Sequence, residues 1–192
     1  MPKATPTSAD SCPNDPGSVA IGAAPAPSLP GQPGSDGAGA AASNLDFYQV
    51  NCTYYDALGK RDNEYLIARA LQFFAPGIPQ VYYIGLLGGV NDMDLLNRTK
   101  VGRDINRHYY TPAEVKAALD TAVVRKLFKL ARFRNTHPAF DGDFAVEQPS
   151  ASRLVLSWTK GDERAILDVD FKAMTASITH QGESGNGQFI VG

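Results

Sequence analysis

Apolar positions follow a helical period through the middle of this chain and a period of two toward its end, and the two regimes meet near Gly142. From Asn63 to Phe74, Leu66, Ala70 and Phe73 recur at helical spacing with Ile67, Leu71 and Phe74 beside them. So wide an apolar stripe predicts a helix covered on most sides. Asp62 stands where its carboxylate would cap that helix. Pro76 and Pro79 cannot continue it and Gly77 lets the backbone reverse. Val81 to Ile84, an apolar β-prone run bounded by Gly85, is then predicted to be a short buried strand. A continuous apolar strand directly after a helix belongs in a parallel sheet covered on both faces, and one such αβ unit cannot make that sheet by itself.

Further along, Asn91 to Lys100 predicts a short helix through Met93 and Leu96, with Leu95 as a further inward position. Thr111-Pro112-Ala113-Glu114 is a capping box with proline at the first helical position, followed by a stripe of Val115, Ala118 and Leu119. A second helix is expected with Val124, Leu127, Phe128 and Ala131 inward and Arg125, Lys126, Lys129 and Arg132 outward in solvent, ending near Asn135 before Pro138. Beyond Gly142, Leu154, Leu156 and Trp158 alternate with Val155, Ser157 and Thr159. The same alternation runs through Ala165, Leu167 and Val169 and again through Met174, Ala176 and Ile178. This predicts a small antiparallel domain of four or five strands, with Gly161-Asp162 as one turn and nothing that looks catalytic.

Composition divides the chain at a different place. The first 43 residues hold eight of the thirteen prolines, many Ala, Gly and Ser, and no aromatic residue. Such a segment buries too little surface to offset chain entropy, so a low-complexity, disordered lead is expected. A second reading, from the abrupt change near Ala38 to Ser43, is an out-of-frame stretch fused to genuine coding sequence. A net charge of −2 argues for neither nucleic acid nor an anionic membrane as partner. Cys12 and Cys52 make neither a disulfide framework nor a metal site, which suits a cytoplasmic protein. No apolar run is long enough to span a membrane, and the N-terminus lacks the order of a signal peptide.

Two stretches carry candidate chemistry. In Asn44 to Leu58 (NLDFYQVNCTYYDAL), amides and carboxylates interleave with aromatics, the combination needed to read hydroxyl groups and flat apolar sugar faces together. The same composition suits a surface loop pinned to the core by its Tyr and Phe side chains. In Gly102 to Tyr110 (GRDINRHYY), two arginines, Asp104, Asn106 and His108 precede two tyrosines. This is either an exposed polar face or a site where arginine's fork of donors holds vicinal hydroxyls or an anion. His108 is not expected to bind metal, because no second ligand sits at ligand spacing.

The segments NLDFYQVN (Asn44 to Asn51), FFAPGIPQVYYIG (Phe73 to Gly85) and GRDINRHYY, in this order and spacing, resemble the C-terminal part of the sucrose phosphorylases, members of glycoside hydrolase family 13 in the α-amylase superfamily. The resemblance implies an α/β fold: a C-terminal fragment of a (β/α)8 barrel over residues 44–140, then a small antiparallel β domain over 141–192, behind the lead of 1–43. It implies retaining glucosyl transfer from sucrose to phosphate, giving α-glucose 1-phosphate and fructose, with no metal or organic cofactor. Asp46, Tyr48 and Gln49 match the mobile acceptor loop, the tyrosine facing phosphate and the other two facing fructose. Arg107 matches the arginine that holds glucose hydroxyls. Phe47 departs from the family's usual leucine, so relatives acting on sucrose 6-phosphate or glucosylglycerate stay open as alternatives. The expected partners are sucrose or a related glucoside and inorganic phosphate, with room for a homodimer of the intact family enzyme.

The family's nucleophilic aspartate, acid/base glutamate and His-Asp pair all lie upstream of the acceptor loop, where this chain has a lead without histidine or glutamate. No catalytic residue is therefore assigned. Asp46 cannot substitute, since retention needs two carboxyl groups about 5 Å apart. The chain is expected to be inactive alone. The alternative from another class is a noncatalytic carbohydrate-binding or regulatory module.

Overall fold

The structure, a computed structural model, describes residues 51–147, 150–183 and 185–191. Helix α1 (Tyr54–Ala57) is a single turn started by Thr53, whose hydroxyl accepts the Asp56 amide. Helix α2 (Asp62–Phe74) buries Tyr65, Leu66, Ile67, Ala70, Phe73 and Phe74, as its wide stripe requires. Its cap differs from expectation. The helix begins at Asp62 itself, the capping position falls to Arg61 without a side-chain bond, and the Asp62 carboxylate instead accepts the Tyr55 hydroxyl at 2.6 Å. An acid in the first turn still favours the helix through the dipole.

Pro76 ends α2 through its predecessor: Ala75 is held extended, at ψ 146°, because a following proline disfavours the helical region. Gly77 then turns at φ 108°. The strand expected at Val81 to Ile84 does not form. Tyr82 is extended, but helix α3 (Tyr83–Leu86) follows at once, with the Leu86 amide donating to Tyr82 O at 2.9 Å. Extended backbone becomes a strand only by exchanging hydrogen bonds with a neighbour, and among the described residues no strand lies alongside; the apolar run closes its bonds locally instead.

Helix α4 (Met93–Thr99) is capped by Asp92, which accepts the Leu95 amide at 2.7 Å, and ends at Lys100 in the left-handed region. It buries Leu95 and Leu96 and leaves Met93 exposed, against expectation. Helix α5 (Pro112–Leu119) carries the capping box as read from the sequence, yet none of its residues is buried, so the expected stripe is only half covered. Helix α6 (Ala122–Thr136) turns Val123, Val124, Leu127 and Leu130 inward. Phe128, expected inward, is 41% exposed, because the core follows the face one step back along the helix.

Strands β1 (Asp143–Glu147), β2 (Arg153–Lys160), β3 (Glu163–Asp170), β4 (Thr175–Gln181) and β5 (Gly187–Ile190) form one antiparallel meander in chain order. Gly161, at φ 59°, opens the two-residue turn between β2 and β3. Met174, expected within a strand, sits in the turn before β4 at φ 51°. The register sets Leu156 opposite Leu167, Leu167 opposite Ile178, and Ile178 opposite Phe189. This apolar row packs with α2, α6 and Phe140 into a single core. Trp158 joins sheet to helix: its indole N–H donates to Phe74 O at 2.7 Å, satisfying one of the carbonyls that a helix end leaves without a partner.

Candidate functional site

Of the residues assigned by resemblance, Asp46, Tyr48 and Gln49 lie outside the described residues, as do Phe47 and Cys12. The part of that stretch from Asn51 onward packs through its aromatic rings while leaving Tyr54 exposed. Tyr54 and Tyr55 meet the buried Tyr65 ring edge to face, at 5.9 and 5.2 Å. Loss of solvation, and then its bond to Asp62, push the Tyr55 phenol up to about 12. Asn91 ties this segment to the loop after α3, since its side-chain carbonyl accepts the Thr53 amide at 2.7 Å and its own amide donates to Asp56 at 2.6 Å.

Arg107 lies in the second polar stretch. Gly102–Asn106 folds as a 3-10 turn held by one apolar contact, Ile105 against Leu96, both fully buried. Ile105 O accepts the Asp92 amide at 2.8 Å, and the Arg107 amide donates to Asp104 O at 3.1 Å. The Arg107 guanidinium is 43% exposed, with Asp104 at 4.0 Å. Its fork of donors is thus partly open to solvent.

His108, next in the chain, is held at both ring nitrogens. Nδ1 lies 2.7 Å from the Asp92 carboxylate and Nε2 lies 3.3 Å from that of Glu114. Tyr110 meets the imidazole edge to face at 4.7 Å, and the Tyr83 hydroxyl donates to His108 O at 3.0 Å. The bond to Asp92, partly opposed by lost solvation and helped by Glu114, raises the His108 pKa above the ordinary histidine value. Asp92 loses solvation too, but its bonds from His108 and the Leu95 amide outweigh that and hold it below the usual carboxylate range. Glu114 is lowered chiefly by the Thr111 amide. Beside this group opens a cavity of about 520 Å³, lined by Asn91, Asp92, Asp94, His108, Tyr110 and the Gly88-Gly89 backbone.

Sequence reasoning did not find this arrangement. Asp92 is sixteen residues from His108, and Glu114 had already been given to the capping box, where it does bond the Thr111 amide at 2.6 Å with its other oxygen. The two carboxylates share one histidine, and among the described residues no group of three or more His, Cys, Asp or Glu side chains is arranged to hold a metal ion. Their chemistry is that of an ion pair shared three ways.

No protein-family model matches the chain. Over 144 residues it is 63% identical to a sucrose phosphorylase of Agrobacterium vitis, covering 75% of this chain and 30% of that protein. Over 141 residues it is 49% identical to a sucrose 6(F)-phosphate phosphorylase of Thermoanaerobacterium thermosaccharolyticum, covering 73% of this chain and 29% of the other. A crystal structure of sucrose 6F-phosphate phosphorylase from Thermoanaerobacter thermosaccharolyticum superposes with a TM-score of 0.72 at 47% identity, over 74% of this chain and 29% of the other. The chain thus spans about 30% of the length of the relatives it matches. The helices and closing antiparallel sheet are those of a fragment of this enzyme fold.

Proposed function

From the chain's homology to part of the sucrose phosphorylases, we propose that it carries one share of a retaining glucosyl-transfer site, acting on sucrose or a related glucoside with inorganic phosphate. The observation that carries this is the 63% identity over 144 residues, too high and too long for a shared fold alone. In this reading Arg107 holds hydroxyls of the transferred glucose, while Asp46, Tyr48 and Gln49 form the acceptor side. The half-exposed Arg107 fork supports its part.

The carboxyl pair that performs the two displacements is not among the residues assigned here, so this chain binds without turning over. Relatives named as phosphorylases of sucrose, sucrose 6(F)-phosphate, glucosylglycerol and glucosylglycerate favour this reading over a noncatalytic module and leave the group that partners glucose open among fructose, fructose 6-phosphate, glycerol and glycerate. The partition into barrel part, 44–140, and β domain, 141–192, belongs to the same proposal, as do cytoplasmic placement and a homodimer of the intact enzyme. Among the described residues no helix is long and apolar enough to cross a membrane.

The test takes the purified chain with sucrose and phosphate, following α-glucose 1-phosphate release and, separately, saturation-transfer NMR on sucrose. No product is expected. Saturation transfer to the glucose ring protons is expected, weakened about tenfold or more in Arg107→Ala, the range for losing hydrogen bonds from a charged donor. Turnover by the chain would overturn the assignment of catalysis elsewhere, and equal binding by Arg107→Ala would overturn its role.

A further inference from the structure

We propose that His108 is a positioning residue: clamped between Asp92 and Glu114, its imidazolium latches the Gly102–Tyr110 segment across the starts of two helices and so fixes where Arg107 points.

The geometry is specific. Asp92 is the cap of α4 and Glu114 completes the capping box of α5, so each carboxylate is already immobilised by backbone amides before it meets the imidazole. Each uses one oxygen for its cap and the other for His108: Oδ1 and Oδ2 of Asp92, Oε2 and Oε1 of Glu114. A histidine bonded to two carboxylates must donate from both nitrogens, and only the protonated ring does so. Neutral His108 keeps one donor, and one carboxylate then faces a bare nitrogen lone pair.

The segment needs such a latch. Its 3-10 turn buries only Gly102 and Ile105, and α5 buries no residue, so little apolar packing holds either one. The charged and titratable groups around the ring come from every adjoining element. Asp92 comes from the start of α4, with Arg98 of the same helix acting on it and Asp94 lining the same cavity; Glu114 comes from α5, and Tyr110 from the segment itself. Tyr83 supports the latch from the backbone side by bonding His108 O. The sign of the pH response follows. The raised histidine makes the latch strongest below its own pKa and loses it as pH rises through that value. The lowered carboxylates lose it as pH falls through theirs.

The role for Arg107 rests on the sugar-binding reading above; the latch itself does not. The test is NMR on the full chain. The three histidines are assigned by single His→Gln substitutions, and the His108 ring shifts are followed against pH in the wild type, Asp92→Asn and Glu114→Gln. Asparagine remains a good helix cap and glutamine completes a capping box, so both variants keep the helix starts while removing the charge. His108 is expected to titrate above the ordinary value in the wild type and to fall toward it in each variant. At pH 6, hydrogen exchange of the Asp104 and Arg107 amides is expected to quicken in both. Should Asp92→Asn fail to fold, Glu114→Gln decides alone. A wild-type His108 titrating at or below the ordinary value, or exchange unchanged in the folded variants, would overturn the latch. An intact latch with no pH dependence in sucrose binding would instead discard its link to Arg107.

Discussion

A single missing side chain decides the packing around α3. Tyr65 donates its hydroxyl to Gly85 O, and Arg69, only 6% exposed, donates from Nε to that same hydroxyl at 3.0 Å and from Nη1 to Gln72 at 2.7 Å. Its guanidinium carbon also sits 4.4 Å from the centre of the Tyr54 ring and 5.0 Å from that of Tyr65, a desolvated cation between aromatic faces. A Cβ at Gly85 would run into the Arg69 guanidinium. Gly85→Ala is therefore expected to destabilise the fold by about 1 to 3 kcal/mol, the range for overpacking, read as a lower denaturant midpoint at unchanged m-value. Gly85 was legible in the sequence only as the end of an apolar run. Arg69 went unread, because on a helix an arginine among apolar neighbours looks the same whether it snorkels to water or turns inward toward a tyrosine.

Elements were legible where their signal is local. The capping box at Thr111 appears as read, since both of its bonds lie within four residues. With no residue of α5 buried, that cap and the latch at His108 carry most of what holds the helix. Thr111→Ala is expected to cost about 1 kcal/mol, shown as faster hydrogen exchange confined to residues 112–119 rather than as global unfolding. The antiparallel strands were legible for the same reason: alternation reports a half-buried face whatever lies beyond it. The strand at Val81 was not, because pairing belongs to two segments and a sequence window sees one. The face of α6 shifted by one position, leaving Phe128 exposed and burying Leu130, since the stripe's edges are set by the sheet and the Phe140 turn that meet it. In the candidate site, Arg107 was singled out in advance, whereas the Asp92 and Glu114 contacts to its neighbour depend on tertiary approach.

At the scale of the whole molecule, two histidines oppose each other as pH changes. His137 is buried and capped into the turn before β1, its Nδ1 accepting the Ala139 amide at 3.3 Å. Loss of solvation lowers its pKa, with Glu163, 3.8 Å away, pulling the other way and His180 adding to the fall. A histidine lowered on folding contributes stability that is present above its unfolded value and lost as pH falls through the folded one. His108, raised on folding, has the opposite slope. His137→Asn, which keeps an acceptor at the cap, is expected to flatten the decline in stability between about pH 7 and pH 5. Denaturant midpoints measured across that interval check it, and an unchanged decline would show that His137 is not its source.

The bond from Trp158 to Phe74 O bears on how such a molecule reaches this state. It joins residues 84 positions apart, whereas every pairing in the sheet is between consecutive strands. Closing so large a loop costs entropy that nearby strand pairs do not. The meander can therefore assemble early from local contacts, while α2 remains open at its C-terminal end until the indole arrives. Docking of that helix is then expected to come late, with the sheet face that it covers open to another copy until it does.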